Sequence, residues 1–263
     1  MILHFTKMHG FGNDFIIVDN IDNKYKFDWS NLASVICQRR FSIGADGLIV
    51  LEKSLIADVK WEIFNPDGTV VEEKCGNGLA CIGRYFFNNI NKKKLIKVES
   101  KLGIIEVEVN EENIKIEMGK AEFDQNLKGK IKIVLDKTVI EGYFILLGNP
   151  HFVFFVDSLD KGLFYEIAPH LEKNSLFPKG ANIHMASIKN KEYISMLSWE
   201  RNIGPTLSCG SGACSALLAA SNETMANHAY VESLAGTYLI KIRGEEIQML
   251  SNAFEAFKGY MNI

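Results

Sequence analysis

Hydrophobic and polar positions alternate with a period of two over residues 104–109 and 114–118, which read as a half-exposed antiparallel hairpin. Further short strands are predicted at 2–5, 15–19, 48–51, 59–64 and 96–99. In the second half they fall at 131–135, 143–147, 152–156, 181–188, 193–199, 229–232, 238–243 and 246–250. Helical periodicity is rarer. Ser30 reads as the N-cap of a helix reaching Arg39, with Leu32, Val35 and Ile36 on one face. Residues 78–89 form a helix that is apolar on most sides and therefore buried. Residues 164–171 and a stretch ending near Ser221 complete the helices. The stretch 7–14 reads as a loop, and Asn65-Pro66-Asp67-Gly68 and Gly148-Asn149-Pro150-His151 as turns.

The second half repeats the plan of the first, strands around one apolar helix. The expected fold is α+β, with two pseudo-symmetric domains, each a mostly antiparallel strand wrap around a central buried helix. The boundary falls near 119–129, giving domains over residues 1–118 and 119–251.

The central helices open alike. Cys75-Gly76-Asn77-Gly78 leads into the first, and Cys209-Gly210-Ser211-Gly212 into the second. Each motif places a thiol at a helix N-terminus, where unpaired N–H groups and the helix dipole favour negative charge. That setting lowers a cysteine pKa toward thiolate and also receives a carboxylate. The two motifs are expected to face each other across one cleft.

Composition narrows the classes. The 263 residues are 47% hydrophobic and 23% charged, with a net charge of −3 and no basic stripe for nucleic acid. No apolar run approaches the roughly 20 residues of a membrane span, and residues 1–7 lack the apolar region of a signal peptide. The five cysteines read as reduced thiols of a cytoplasmic protein. Cys37, Cys81 and Cys214 read as small buried hydrophobes.

Other chemistries fit less well. Five residues separate Cys75 from Cys81 and four separate Cys209 from Cys214, across helix starts, so no metal site is expected from these pairs. Cys81 and Ser215 occupy the last place of a would-be Gly-x-Gly-x-x-Gly, so nucleotide binding is unsupported. A Cys–His hydrolase using His151 or His9 leaves the second motif idle. Two-base proton transfer uses both motifs. One thiolate removes an α-proton, the other thiol protonates the opposite face, and the helix N–H groups hold the substrate carboxylate. This needs no cofactor.

These motifs resemble the diaminopimelate epimerases over nearly the whole chain. The similarity runs through Lys7-Met8-His9-Gly10-Phe11-Gly12-Asn13-Asp14-Phe15, Asn65-Pro66-Asp67-Gly68 and the first cysteine motif. It continues through Gly148-Asn149-Pro150-His151, Phe177-Pro178 with Asn182, Trp199-Glu200-Arg201 and the second cysteine motif. The resemblance implies a cofactor-independent isomerase that interconverts LL- and meso-diaminopimelate for lysine and cell-wall synthesis. Cys75 and Cys209 would be the acid/base pair. Gly76, Asn77, Gly210 and Ser211 would hold the reacting carboxylate, with Asn13 fixing that end. Asn65, Asn149, Asn182 and Arg201 would grip the distal amino acid group, and Glu200 would lie near the amine. A terminal strand over about 252–263 would return to the first domain. The partner is a small-molecule amino acid substrate, with a homodimer as a possible assembly. One extra residue before Cys75, and Asn202-Ile203-Gly204-Pro205-Thr206 after Arg201, depart from the family pattern. They leave open a racemase of another amino acid, such as histidine, or a non-catalytic or other isomerase member of the fold.

Overall fold

The computed structural model describes residues 1–123, 129–135, 138–222 and 227–263; the expected boundary stretch 119–129 lies partly outside them. The chain divides into two compact units, Met1–Ile116 with Ser251–Ile263, and Glu117–Leu250. The first contains β1 (Ile2–Gly10), β2 (Asn13–Asp19), α1 (Trp29–Ile36), β3 (Gly47–Glu52), β4 (Val59–Phe64), α2 (Gly76–Asn89), β5 (Leu95–Ser100), β6 (Gly103–Val109) and the start of β7 (Ile114–Lys120). The second contains β8 (Glu122–Phe123), β9 (Lys130–Leu135), β10 (Thr138–Leu147), β11 (Asn149–Phe155), α3 (Lys161–Glu172), β12 (Asn182–Asn190) and β13 (Tyr193–Glu200). It continues with β14 (Gly204–Thr206), α4 (Gly210–Ser221), β15 (His228–Glu232), β16 (Thr237–Arg243) and β17 (Glu246–Ser251). The last strand, β18 (Phe254–Asn262), pairs antiparallel with β1 in the first unit.

The duplication extends to strand sense. β1/β2 is antiparallel, β2/β3 parallel, β3/β4 antiparallel and β4/β5 parallel, followed by antiparallel β5/β6 and β6/β7. The same series recurs in β10/β11, β11/β12, β12/β13, β13/β15, β15/β16 and β16/β17. Parallel neighbours require a crossover, usually a helix. The four parallel steps are where α1, α2, α3 and α4 occur. The fold is α+β.

Helix α2 is buried continuously from Gly76 to Phe86, and α4 buries nine of its twelve residues. Two further clusters pack around the outer helices: Leu32, Ala33 and Ile36 of α1 against β2 and β3, and Phe164, Ala168 and Leu171 of α3 against β11 and β12. Close approach sets the residue type on α2. A Cβ at Gly83 would sit 2.7 Å from Val107 Cγ1 and 3.0 Å from Val109 Cγ2.

Several expectations change. The stretch 7–14 is a tight hairpin, not a loop: β1 runs to Gly10 and β2 starts at Asn13. The connecting Phe11 (φ 46°) and Gly12 (φ 86°) adopt the positive φ that a two-residue hairpin requires. Asp28, not Ser30, caps α1, accepting from Asn31 N–H at 3.1 Å, and the helix ends at Ile36. Ser30 Oγ donates instead to the Gly68 carbonyl at 2.6 Å. The turn at 148–151 shrinks to Gly148 (φ 69°), because β11 begins at Asn149. Strands β8 and β14, of two and three residues, are too short to carry a periodic pattern. Pro205 is exposed on β14, opposite Trp199, at a short strand where a missing N–H is tolerated. Among the described residues, no helix is long and apolar enough to cross a membrane.

Gly83→Ala tests the packing of α2. Helix propensity favours alanine by about 1 kcal/mol, but two strand valines on stiff β-branched side chains must give way. Overpacking of about 1–3 kcal/mol should prevail, so the midpoint of chemical unfolding falls. A rise in midpoint would contradict this packing.

Candidate active site

Both units build the same local device. Cys75 caps α2 with extended backbone (φ −94°, ψ 101°), and its Sγ accepts the Gly78 N–H at 3.3 Å. Cys209 caps α4 in the same way (φ −137°, ψ 110°), accepting the Gly212 N–H at 3.4 Å. The N-cap place is usually filled by a Ser, Thr, Asp or Asn oxygen. Here sulfur fills it, at the end where the first N–H groups have no partner within the helix. Cys75 is half-buried and Cys209 buried.

The second glycine of each motif lies close on the side chains beneath it, tightly at Gly78 and with no space for a Cβ at Gly212. A Cβ on Gly78 would stand 3.1 Å from Trp61 Cζ3 and 3.3 Å from Cys75 Sγ. A Cβ on Gly212 would stand 2.2 Å from His184 Cε1, inside the imidazole's own volume. The remaining cysteines Cys37, Cys81 and Cys214 are buried. Burial pushes the Cys81 thiol well above its ordinary value and Cys37 up to about 12, so both stay protonated.

In the first unit, Gly76 is the first residue of α2 and Asn77 the second. Asn77 Nδ2 donates to Asn13 Oδ1 at 3.4 Å, and Asn13 Nδ2 donates to Asp46 Oδ2 at 2.9 Å. Asp46 also binds Arg39 at 2.7 Å, and Arg39 binds Asp14 at 2.5 Å. Lys7, buried, pairs with Asp14 at 2.6 Å and donates to the Gly44 carbonyl. Burial raises the Asp14 pKa, but hydrogen bonds and charge from Arg39 and Lys7 outweigh it, holding the carboxyl below its ordinary range. Asn13 and Asn77 thus form one group, with Asn77 two residues along from the Cys75 cap, locked from behind by ion pairs. Asn65 is held in its turn, Nδ2 donating to Thr69 Oγ1 at 3.0 Å, with no hydrogen bond to that group among those described.

In the second unit, Asn182 Oδ1 accepts the Arg201 N–H at 2.8 Å, and Arg201 Nη1 donates to the Lys179 carbonyl at 3.1 Å. Gly180 (φ 71°) lies against the Arg201 stem. The buried Glu172 carboxylate accepts from Trp199 Nε1 at 2.7 Å and from the Asn202 N–H at 2.9 Å. Asn202 itself has φ 63°. This brackets Glu200-Arg201 between two fixed points. Ser211 Oγ lies 3.6 Å from Cys209 Sγ, and Gly210 opens α4. Asn149 starts β11; its Oδ1 is buried without a hydrogen-bond partner among the described residues.

Beneath Gly212 lies a buried chain of polar groups. His184 Nδ1 is 3.0 Å from Ser198 Oγ, and His184 Nε2 is 3.0 Å from His151 Nδ1. The other His151 nitrogen, Nε2, is buried and unpartnered among the described residues. Burial drives His184 down to about 3 and His151 well below its ordinary value, so both rings are neutral.

Sequence reasoning missed the Lys7–Asp14–Arg39–Asp46 set, Glu172 and His184. His184 carried a readable signal, a titratable residue between Ile183 and Met185 in the predicted strand 181–188. The ion-pair set did not, because its members are separated in sequence and assembled by the β1–β2 hairpin.

With this geometry in view, the chain's relatives are informative. The family profile described as diaminopimelate epimerase matches residues 5–123 and 143–254. The diaminopimelate epimerase of Caldanaerobacter subterraneus subsp. tengcongensis is 37% identical, over 99% of this chain and 100% of that one. Among solved structures, a PhzF-family phenazine biosynthesis protein of Bacillus anthracis superposes with TM-score 0.75 at 18% identity, over 100% of both chains. A hydroxyproline epimerase of Agrobacterium vitis gives TM-score 0.71 at 12% identity, over 99% of this chain and 92% of that one.

The ion pairs behind Asn13 predict an acid limb of stability. A depressed carboxyl contributes fully above the unfolded aspartate value of about 3.9, and its contribution is lost as pH falls through the lower folded value. Asp14→Asn should therefore lower the unfolding midpoint at neutral pH and make its decline below about pH 4 shallower than wild type. Parallel acid limbs in the two proteins would contradict this.

Proposed function

The chain belongs to the diaminopimelate epimerase family, and on that premise we propose that Cys75 and Cys209 are the acid/base pair inverting one α-carbon of diaminopimelate. The reaction is the isomerisation between the LL and meso forms. The observation that carries the assignment is the doubled device: two buried helices, each N-capped by a cysteine whose sulfur already accepts a backbone N–H.

The chemistry balances without any other group. One thiolate takes the α-proton and becomes a thiol. The electron pair spreads into the α-carboxylate, where N–H groups at a helix start stabilise the added charge. The second thiol delivers its proton to the opposite face and becomes the thiolate. Configuration inverts, and the enzyme is left in the mirror protonation state, ready for the reverse direction or for re-equilibration with water.

Gly76, Asn77, Gly210 and Ser211 serve as donors to the reacting carboxylate, and Asn13, backed by Asp46, holds Asn77 in place. Arg201 with Asn65, Asn149 and Asn182 takes the distal amino acid group, where a planar guanidinium matches a carboxylate. Glu200 serves the substrate ammonium.

Two experiments test this. Cys75→Ser and Cys209→Ser should each lower kcat for LL-diaminopimelate by at least about 10²-fold, the scale of a lost general acid or base, with the unfolding midpoint little changed. Near-normal turnover in either variant would sink the pairing. Arg201→Ala should lower kcat/KM by about 10–100-fold, the scale of a lost charged hydrogen bond. An unaffected enzyme would point to a substrate with no distal carboxylate.

A further inference from the structure

The buried polar chain under α4 ends beside the Cys209 thiol. One nitrogen from each of His151 and His184, together with Cys209 Sγ, lie within 4.8 Å of one another, and all three residues are buried. His151 and His184 share a hydrogen bond, at 3.0 Å. The remaining His151 nitrogen is buried and faces no hydrogen-bond partner among the described residues. A buried imidazole nitrogen without a partner loses solvation with nothing in return. That outer nitrogen is Nε2; the one facing His184 is Nδ1.

We propose that Cys209, His151 and His184 form a site for a soft or borderline divalent cation of the zinc class, and that its occupancy switches the enzyme off. The donor set is one that such ions favour, a thiolate with two neutral imidazoles. Bonds of about 2.0–2.3 Å at a tetrahedral ion place ligand atoms roughly 3.3–3.7 Å apart. The two ring nitrogens, 3.0 Å apart, are already near that spacing, and the whole donor set lies within 4.8 Å. His184 is oriented by Ser198 Oγ at 3.0 Å on its other nitrogen, the partner arrangement that fixes a ligand's tautomer. Gly212 keeps that ring in place against the helix start.

The binding step is a proton exchange. The ion displaces the thiol proton to solvent, the imidazoles contribute lone pairs, and any proton between the rings moves to the outer nitrogen of its ring. Three protein ligands leave the fourth position to water. Spacing between cysteines in the sequence excluded metal at Cys75/Cys81 and Cys209/Cys214. It could not register this set, which is spread over β11, β12 and the α4 cap.

Inhibition rests on Cys209 being an acid/base residue, but binding does not, so the test reads binding first and without substrate. Co2+ titrated into the reduced full-length protein should give a sulfur-to-cobalt charge-transfer band saturating at one ion per chain. The band should persist in Cys75→Ser and vanish in Cys209→Ser. His184→Asn should weaken binding by at least about 10-fold. If that variant does not fold, the two cysteine variants decide. Zn2+ should displace Co2+ and inhibit wild-type turnover over the same concentration range, reversibly on adding a chelator. Absence of the band, its survival in Cys209→Ser, or full activity with zinc bound would overturn the proposal.

Discussion

The structure depends on one constraint: a helix N-terminus capped by a sulfur and buried inside a wrap of strands. An oxygen cap would satisfy the same N–H groups more strongly and would be the ordinary choice. Sulfur at 3.3 Å from Gly78 N and 3.4 Å from Gly212 N gives up some of that stability. In exchange, a thiol stands where the helix field and the first N–H groups converge. The glycines follow from the same constraint. His184 under Gly212 leaves no room for a Cβ and Trp61 under Gly78 leaves little, so the helix starts lie directly on side chains from the sheet.

Around each cap the support differs. In the first unit, Asn77 is oriented through Asn13 and Asp46, and Asp46 is tied through Arg39 to Asp14 and Lys7. These groups cost conformational entropy to order, and their exposed members contribute little individually. Their joint effect is geometric, fixing the hairpin that carries Asn13. In the second unit the support is a neutral, dry chain of Ser198, His184 and His151, with Glu172 separately clamping the segment that carries Glu200 and Arg201. A common plan of strands and helices thus carries two chemically unlike surrounds.

Much of this was legible in the sequence because it rests on local rules. Strand alternation at 114–118, burial of the helix after Cys75 and duplication of the cysteine motif each reflect a repeating pattern along the chain. Crossover helices at each parallel step then follow from connectivity. What escaped was non-local or cooperative. The hairpin at Phe11–Gly12 reads as loop because Gly10 and Gly12 break the alternation, although positive φ at both turn residues is what closes it. Asp28 displaces Ser30 as the α1 cap because Ser30 is drawn to the Gly68 carbonyl, 38 residues away. Pro205, a departure close to Cys209 in sequence, is exposed on a three-residue strand whose pairing with β13 needs no N–H from it.

The central claim is that two different groups handle the two faces of one α-carbon. The most direct measurement follows LL-diaminopimelate in heavy water at early times, with the deuterium content of substrate and meso product determined separately. Two thiols predict meso product carrying solvent deuterium at the inverted centre, while the remaining LL substrate retains its protium. Protium retained in the product, or deuterium appearing equally fast in the unreacted substrate, would mean that a single base serves both faces and would contradict the account.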